Sequence, residues 1–136
     1  MEENTRIDSS LVQEFVGKAH GDLDRVRQML AEQPALLNAA WDWGGGDWET
    51  ALGAAAHMGR RDIAEMLLAK GARIDIFAAA MLGQVNTVRA IVQSCAASAT
   101  SPGPHGIPLI RHAIAGGEAA AGVVAYLQSL QSELPF

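Results

Sequence analysis

The chain has 136 residues, 49% of them hydrophobic and 18% charged, enough for one folded domain and too apolar for a disordered chain. Its formal net charge of −5, with only Arg60-Arg61 adjacent among the basic residues, argues against nucleic-acid binding, which needs clustered Lys and Arg. A single cysteine, Cys95, excludes an intrachain disulfide, and no apolar run approaches the roughly 20 residues that span a bilayer.

The amino terminus, Met1-Glu2-Glu3-Asn4-Thr5-Arg6, is polar and acidic with no signal-peptide core behind it. The expectation is a soluble, cytoplasmic protein with no membrane association.

In chain order, four segments share one pattern when aligned on a glycine. Gly17-Lys18-Ala19-His20-Gly21 precedes a helix carrying Val26, Met29 and Leu30. Ala55-Ala56-His57-Met58-Gly59 precedes Ile63, Leu67 and Leu68, and Ala79-Ala80-Met81-Leu82-Gly83 precedes Val88, Ile91 and Val92. The last apolar pair falls eight and nine residues after the glycine in all three. A fourth copy, Pro108 to Gly116, leads to Val123, Val124 and Leu127 with about three extra residues around Glu118 to Gly122. Each unit reads as a thin first helix of small residues and a second helix with an apolar stripe at i, i+3, i+4 spacing. Such units are too small to fold alone and bury their faces by stacking.

Here the chain resembles the ankyrin repeat family. The resemblance rests on Thr50-Ala51-Leu52 for the family's Thr-Pro-Leu, the Ala-Ala-x-x-Gly signatures, Leu67-Leu68, and Gly71-Ala72-Arg73-Ile74-Asp75 for its Gly-Ala-x-x-Asn/Asp turn. It covers roughly residues 11 to 130. It departs from the family at Gly53 and Ile110, where a histidine usually follows Thr-Pro-Leu. The expected fold is all-α: a single solenoid of about four helix-turn-helix repeats, near 11–38, 39–75, 76–97 and 98–130, with a fraying tail at 131–136. The interval from Gly59 to Gly83 is 24 residues against about 33 for a full repeat, so the finger between repeats two and three is expected to be deleted.

Two fingers remain, near 39–49 and 97–107. The first, Ala39 to Glu49, holds all three tryptophans. If Gly44-Gly45 is its turn, Trp41, Trp43 and Trp48 share a face with Asp42 opposite Asp47. If all three glycines turn, Trp48 joins Asp42, and Trp41 and Trp43 lie with Asp47 and Glu49. Either way the finger reads as an acidic, aromatic tip suited to a basic partner. The second is a stiff Pro/Gly loop with His105 near its tip.

Among the histidines, His57 is placed towards the concave groove of the stack, and His112 reads as a core or capping residue. Stacking brings repeats within about 10 Å, but no His-x-x-x-His or Cys-x-x-Cys spacing marks a metal site, and no metal or cofactor is expected. Cys95 reads as a buried or half-buried small residue with no base beside it. No nucleophile elbow or phosphate loop is present, so no catalytic residue is assigned.

The resemblance implies a non-enzymatic module binding a protein or peptide. Its expected surface comprises Trp41, Asp42, Trp43, Asp47, Trp48 and Glu49 on the finger, Ala54, His57, Met58 and Met81 along the groove, and His105 and Arg111 on the far side. The alternative is a small cationic or sugar-like ligand in a gap between the two fingers.

Overall fold

The expected helix pairs follow one another along the chain. They are α1 (Ser9–Lys18) with α2 (Leu23–Glu32), α3 (Ala51–His57) with α4 (Arg61–Ala69), α5 (Ile76–Met81) with α6 (Val85–Ser94), and α7 (Leu109–Ala115) with α8 (Ala121–Glu133). The structure is a computed structural model that describes residues 5–133. α8 runs on to Glu133, so the first part of the expected tail is helical, and its last three residues lie outside the described ones, as do Met1 to Asn4. Among the described residues, no helix is long and apolar enough to cross a membrane.

Local chemistry starts these helices where it should. Asp8, Asp22, Thr50 and Asp75 are N-caps whose side chains accept from Ser10, Arg25, Gly53 and Ala78 backbone N–H groups, satisfying donors the helix leaves unpaired. The first helices form a row in which α1 packs on α3, α3 on α5 and α5 on α7. Small side chains make that row possible. Ala51 to Ala56 of α3 and Ala78 to Met81 of α5 are all buried. The second helices supply bulk from one stripe: Val26, Met29 and Leu30, then Ile63 and Leu67, then Val88 and Val92.

The turn inside the second and third pairs is set by a glycine. After α3 and α5 the chain turns identically, with Arg60 N–H bonded to Ala55 O and Gln84 N–H to Ala79 O, both at 2.9 Å. Gly59 and Gly83 adopt φ of 65° and 80°, a left-handed region costly for other L-residues. At Gly83 the next pair also comes close, and a Cβ there would stand 2.1 Å from the Ala119 carbonyl oxygen. The adjacent arginines tie neighbouring pairs together. Arg60 donates to Gly21 O at 2.8 Å, and Arg61 to Leu82 O at 3.0 Å.

The only sheet among the described residues is the first finger, β1 (Ala40–Asp42) antiparallel to β2 (Trp48–Thr50), with Trp41 opposite Glu49 and Asp42 opposite Trp48. This is the three-glycine alternative. Gly44, Gly45 and Gly46 take φ of 133°, 65° and 88°, and the Asp42 carboxylate accepts from the N–H groups of Gly44 and Gly46 at 2.8 and 3.0 Å. No strand lies between α4 and α5. Between α6 and α7 the chain forms 3-10 turns at Ala96–Ala99 and Pro104–Gly106. Cys95, expected to be at least half buried, is exposed, because α6 ends at Ser94 and the chain leaves the stack there.

Gly83→Ala is expected to cost the left-handed penalty of roughly 1–2 kcal/mol and a further 1–3 kcal/mol or so from the backbone clash. Gly71→Ala, at φ 100° with open space around it, should show the first cost alone. Urea-unfolding midpoints of the two variants check the difference.

Candidate functional site

The strand register decides which finger residues face inward. Trp41 is half buried and packs against the core, while Glu49, opposite it, is only 1% exposed. A buried carboxylate needs donors or cations around it. Four segments supply them.

His20 sits in the turn after α1. Its Nδ1 lies 3.1 and 2.9 Å from the Val16 and Gly17 carbonyls, which can only accept, so Nδ1 carries the proton and Nε2 points at Glu49 Oε1, 3.2 Å away. Trp43 donates its indole N–H to the same oxygen at 2.9 Å. His57, on the last turn of α3, places Nε2 2.9 Å from Glu49 Oε2. That approach is off the hydrogen-bonding directions, leaving Glu49 Oε2 and His57 Nε2 without a hydrogen-bond partner. His105 arrives from the loop after α6, with Nε2 3.3 Å from Glu49 Oε2.

His105 is held in an unusual conformation. Its φ is 60°, the one positive value among described residues other than glycine. Asp47 holds it there with both oxygens: Oδ1 accepts from the His105 backbone N–H at 2.7 Å, and Oδ2 lies 2.7 Å from ring Nδ1. The three imidazoles pack at centroid distances of 5.0, 5.3 and 6.1 Å, with Trp43 6.2 Å from both His20 and His105.

The electrostatics follow from these contacts. Burial pushes the Glu49 carboxyl up, but the His20 and His57 imidazoles and the Trp43 N–H more than offset it and lower its pKa to about 2. The hydrogen bond to Glu49 raises His20 above the usual imidazole value. His112 is the fourth histidine, its ring edge-on to His57 with centroids 6.5 Å apart. It is fully buried against Phe77, its Nδ1 donates to Pro108 O at 2.9 Å, and burial pushes its pKa down.

Several sequence expectations change here. Glu49 was assigned to an exposed acidic tip and is instead the buried centre of the site. Asp42 is spent on the glycine turn and Asp47 on His105, so none of the finger's three carboxylates there is left free for a basic partner. Met81, expected to line the groove, is fully buried, because the turn at Gly116 closes on its backbone. Ala54 is likewise buried between helices. The two fingers touch through Asp47 and His105, so the second loop occupies the gap expected between them. Trp48 is 61% exposed on the outer face of the finger, Met58 is 50% exposed beside His57, and Arg111 is exposed. Sequence reasoning assigned His20 no role. Its one signal is its place at the end of the first helix, the end from which His57 projects in the next pair.

Residues 47–77, from the finger through α3 and α4 into α5, match the family model for the ankyrin repeat. No curated protein matches the chain.

With divalent ions chelated, a pH titration followed by histidine NMR should find His20 losing its proton above the ordinary imidazole range and His112 below it. Glu49→Gln should return His20 towards the ordinary value. The two shifts have opposite signs for stability. The His20 contribution is full below the unfolded imidazole pKa and lost as pH rises through the raised folded value, whereas neutral burial of His112 favours the fold at higher pH.

Proposed function

We propose that this ankyrin repeat protein is a binding module for a protein or peptide, recognised across the face that carries the first finger and the ends of the first helices. Ankyrin repeats are generally protein-interaction modules, and the match at 47–77 lies on the finger and helices that build this face. The four helix pairs are read as one solenoid of about four repeats, at 11–38, 39–75, 76–97 and 98–130, with the outer pairs as caps.

The observation that carries the reading is a set of large apolar side chains left in water around a rigid centre. Met58 and Ile114 are 50% and 53% exposed, and Ile114 lines a shallow groove with His57, Ile107 and Arg111. On the other side of the histidines, Trp43 lines a second shallow groove with Gln13, Gly17 and Lys18. Exposed apolar residues flanking polar ones are the usual make-up of a recognition surface, and Trp and Met are suited to it. The finger is preorganised, so a partner does not bear the cost of ordering it. With Asp42, Asp47 and Glu49 engaged within the chain, the preference assigned to this surface is for apolar and aromatic groups, with Arg111 as the free charge in its groove.

Affinity capture with immobilised protein tests this. Met58→Asp and Ile114→Asp lie on the surface and should keep the fold. Each should weaken recovery of the bound partner by roughly tenfold or more, the size expected of a hot-spot residue. Arg27→Glu, on the exposed side of α2, should not. Equal recovery by all the variants and the unaltered protein would sink the reading.

A further inference from the structure

The donor and acceptor inventory around Glu49 does not close while the histidines are neutral. His20 and His105 commit Nδ1–H to oxygen acceptors, so in their neutral forms Nε2 is a lone pair aimed at a carboxylate oxygen, which is itself only an acceptor. His57 Nε2, on a side chain nine-tenths buried, and Glu49 Oε2 also face each other without a hydrogen bond. Protonating all three rings would set three cations against two carboxylates, Glu49 and Asp47, a surplus of one positive charge with ring centres as close as 5.0 Å. With each Nε2 unprotonated, three imidazole lone pairs and the Glu49 carboxylate face one another, the arrangement that a cation resolves.

We propose that His20, Glu49, His57 and His105 form a binding site for one divalent transition-metal ion, with zinc the best fit. One ligand atom from each lies within 4.8 Å of the others. Zinc bonds of 2.0–2.2 Å in a tetrahedron place neighbouring donors roughly 3.3–3.6 Å apart. His57 and His105 Nε2 lie 2.9 and 3.3 Å from Glu49 Oε2, and His20 Nε2 lies 3.2 Å from the other carboxylate oxygen. Imidazole nitrogens select transition ions over magnesium and calcium, which take oxygen ligands.

The surrounding contacts match those that orient metal ligands. The Asp47 carboxylate behind His105 Nδ1 and the carbonyls behind His20 Nδ1 fix each ring with Nε2 forward. Trp43 occupies Glu49 Oε1 and leaves Oε2 as the metal-facing oxygen, between His57 and His105. The ion would join the turn after α1, the finger, α3 and the loop before α7. These positions come together only in the folded chain, so binding should stabilise it.

The test uses the full chain after chelation, with Co2+ as the spectroscopic probe and Zn2+ in thermal melts. The expected result is one equivalent of Co2+ with the absorption bands of four-coordinate cobalt, and a Tm that rises with free Zn2+. Glu49→Gln and His57→Ala should abolish both signals. Asp47→Asn should weaken binding by roughly 10- to 100-fold, because it leaves the ligands and loosens one. Cys95→Ser should bind like the unaltered protein. Should Glu49→Gln or His57→Ala lose the fold by circular dichroism, His105→Ala, on its exposed loop, decides instead, and loss of the cobalt bands in folded His105→Ala supports the site. A folded unaltered chain that takes up neither ion overturns it. So does unchanged binding in any folded ligand variant, or loss of binding in Cys95→Ser. Neither readout involves a partner, so this result and that for partner binding stand apart.

Discussion

Glu49 is the constraint around which the upper edge of this molecule is arranged. Removing an ionised carboxylate from water carries an effective penalty of several kcal/mol, which only well-placed donors or cations offset. The finger that carries Glu49 supplies only the Trp43 N–H. The rest come from the turn after α1, from α3, and from the loop that precedes α7. The carboxylate therefore fixes where the finger lies on the stack and where the second loop ends.

The geometry is possible because of what the chain lacks. Only six residues separate Ala69 of α4 from Ile76 of α5, with no hairpin among them, so nothing stands between the first finger and the loop after α6. That loop crosses the opening with Gly103 against Phe77 and Pro104 against Gly53, contacts that a bulky residue at either glycine would obstruct. Its tip then needs a left-handed backbone at His105, where no glycine has been used. The two bonds from Asp47, to backbone and ring at once, offset that cost. A strained residue held by a dedicated partner is a common sign of a positioned side chain rather than a passive turn.

The helix pairs were legible because they depend on short-range pattern. The glycine at each joint and the apolar pair eight and nine residues later mark positions on one helix face, and the 24-residue interval between Gly59 and Gly83 leaves no room for a finger. The finger's register was narrowed to two alternatives, and the choice fell to Asp42, whose carboxylate satisfies two glycine N–H groups only when all three glycines turn. Strand alternation then put Glu49 on the same side as Trp41 and Trp43, but alternation tells which residues share a side and not what that side meets. The histidine cluster was out of reach for the same reason. Its members are separated by 29, 8 and 48 residues in the order His20, Glu49, His57, His105, so no local spacing could signal it. Met81 and Ala54 face neighbouring elements and not the groove, with the Gly116 turn closing on the Met81 backbone.

Trp43 joins the buried centre to the surface. Its N–H ends on Glu49, and its ring lies along α1 at Gly17, where it lines a groove open to water. A group stacked on that ring is one hydrogen bond from the carboxylate. If binding at the ring changes the affinity of the Glu49 cluster, linkage requires the cluster to change binding at the ring by the same factor. Trp48 shows the contrast. Opposite Asp42 on the outer face, it has no part in the cluster, and a partner that used it alone would leave Glu49 and its histidines unaffected. The two tryptophans therefore separate the roles of the finger. Trp48 contributes exposed area alone, and Trp43 contributes area tied by its N–H to Glu49.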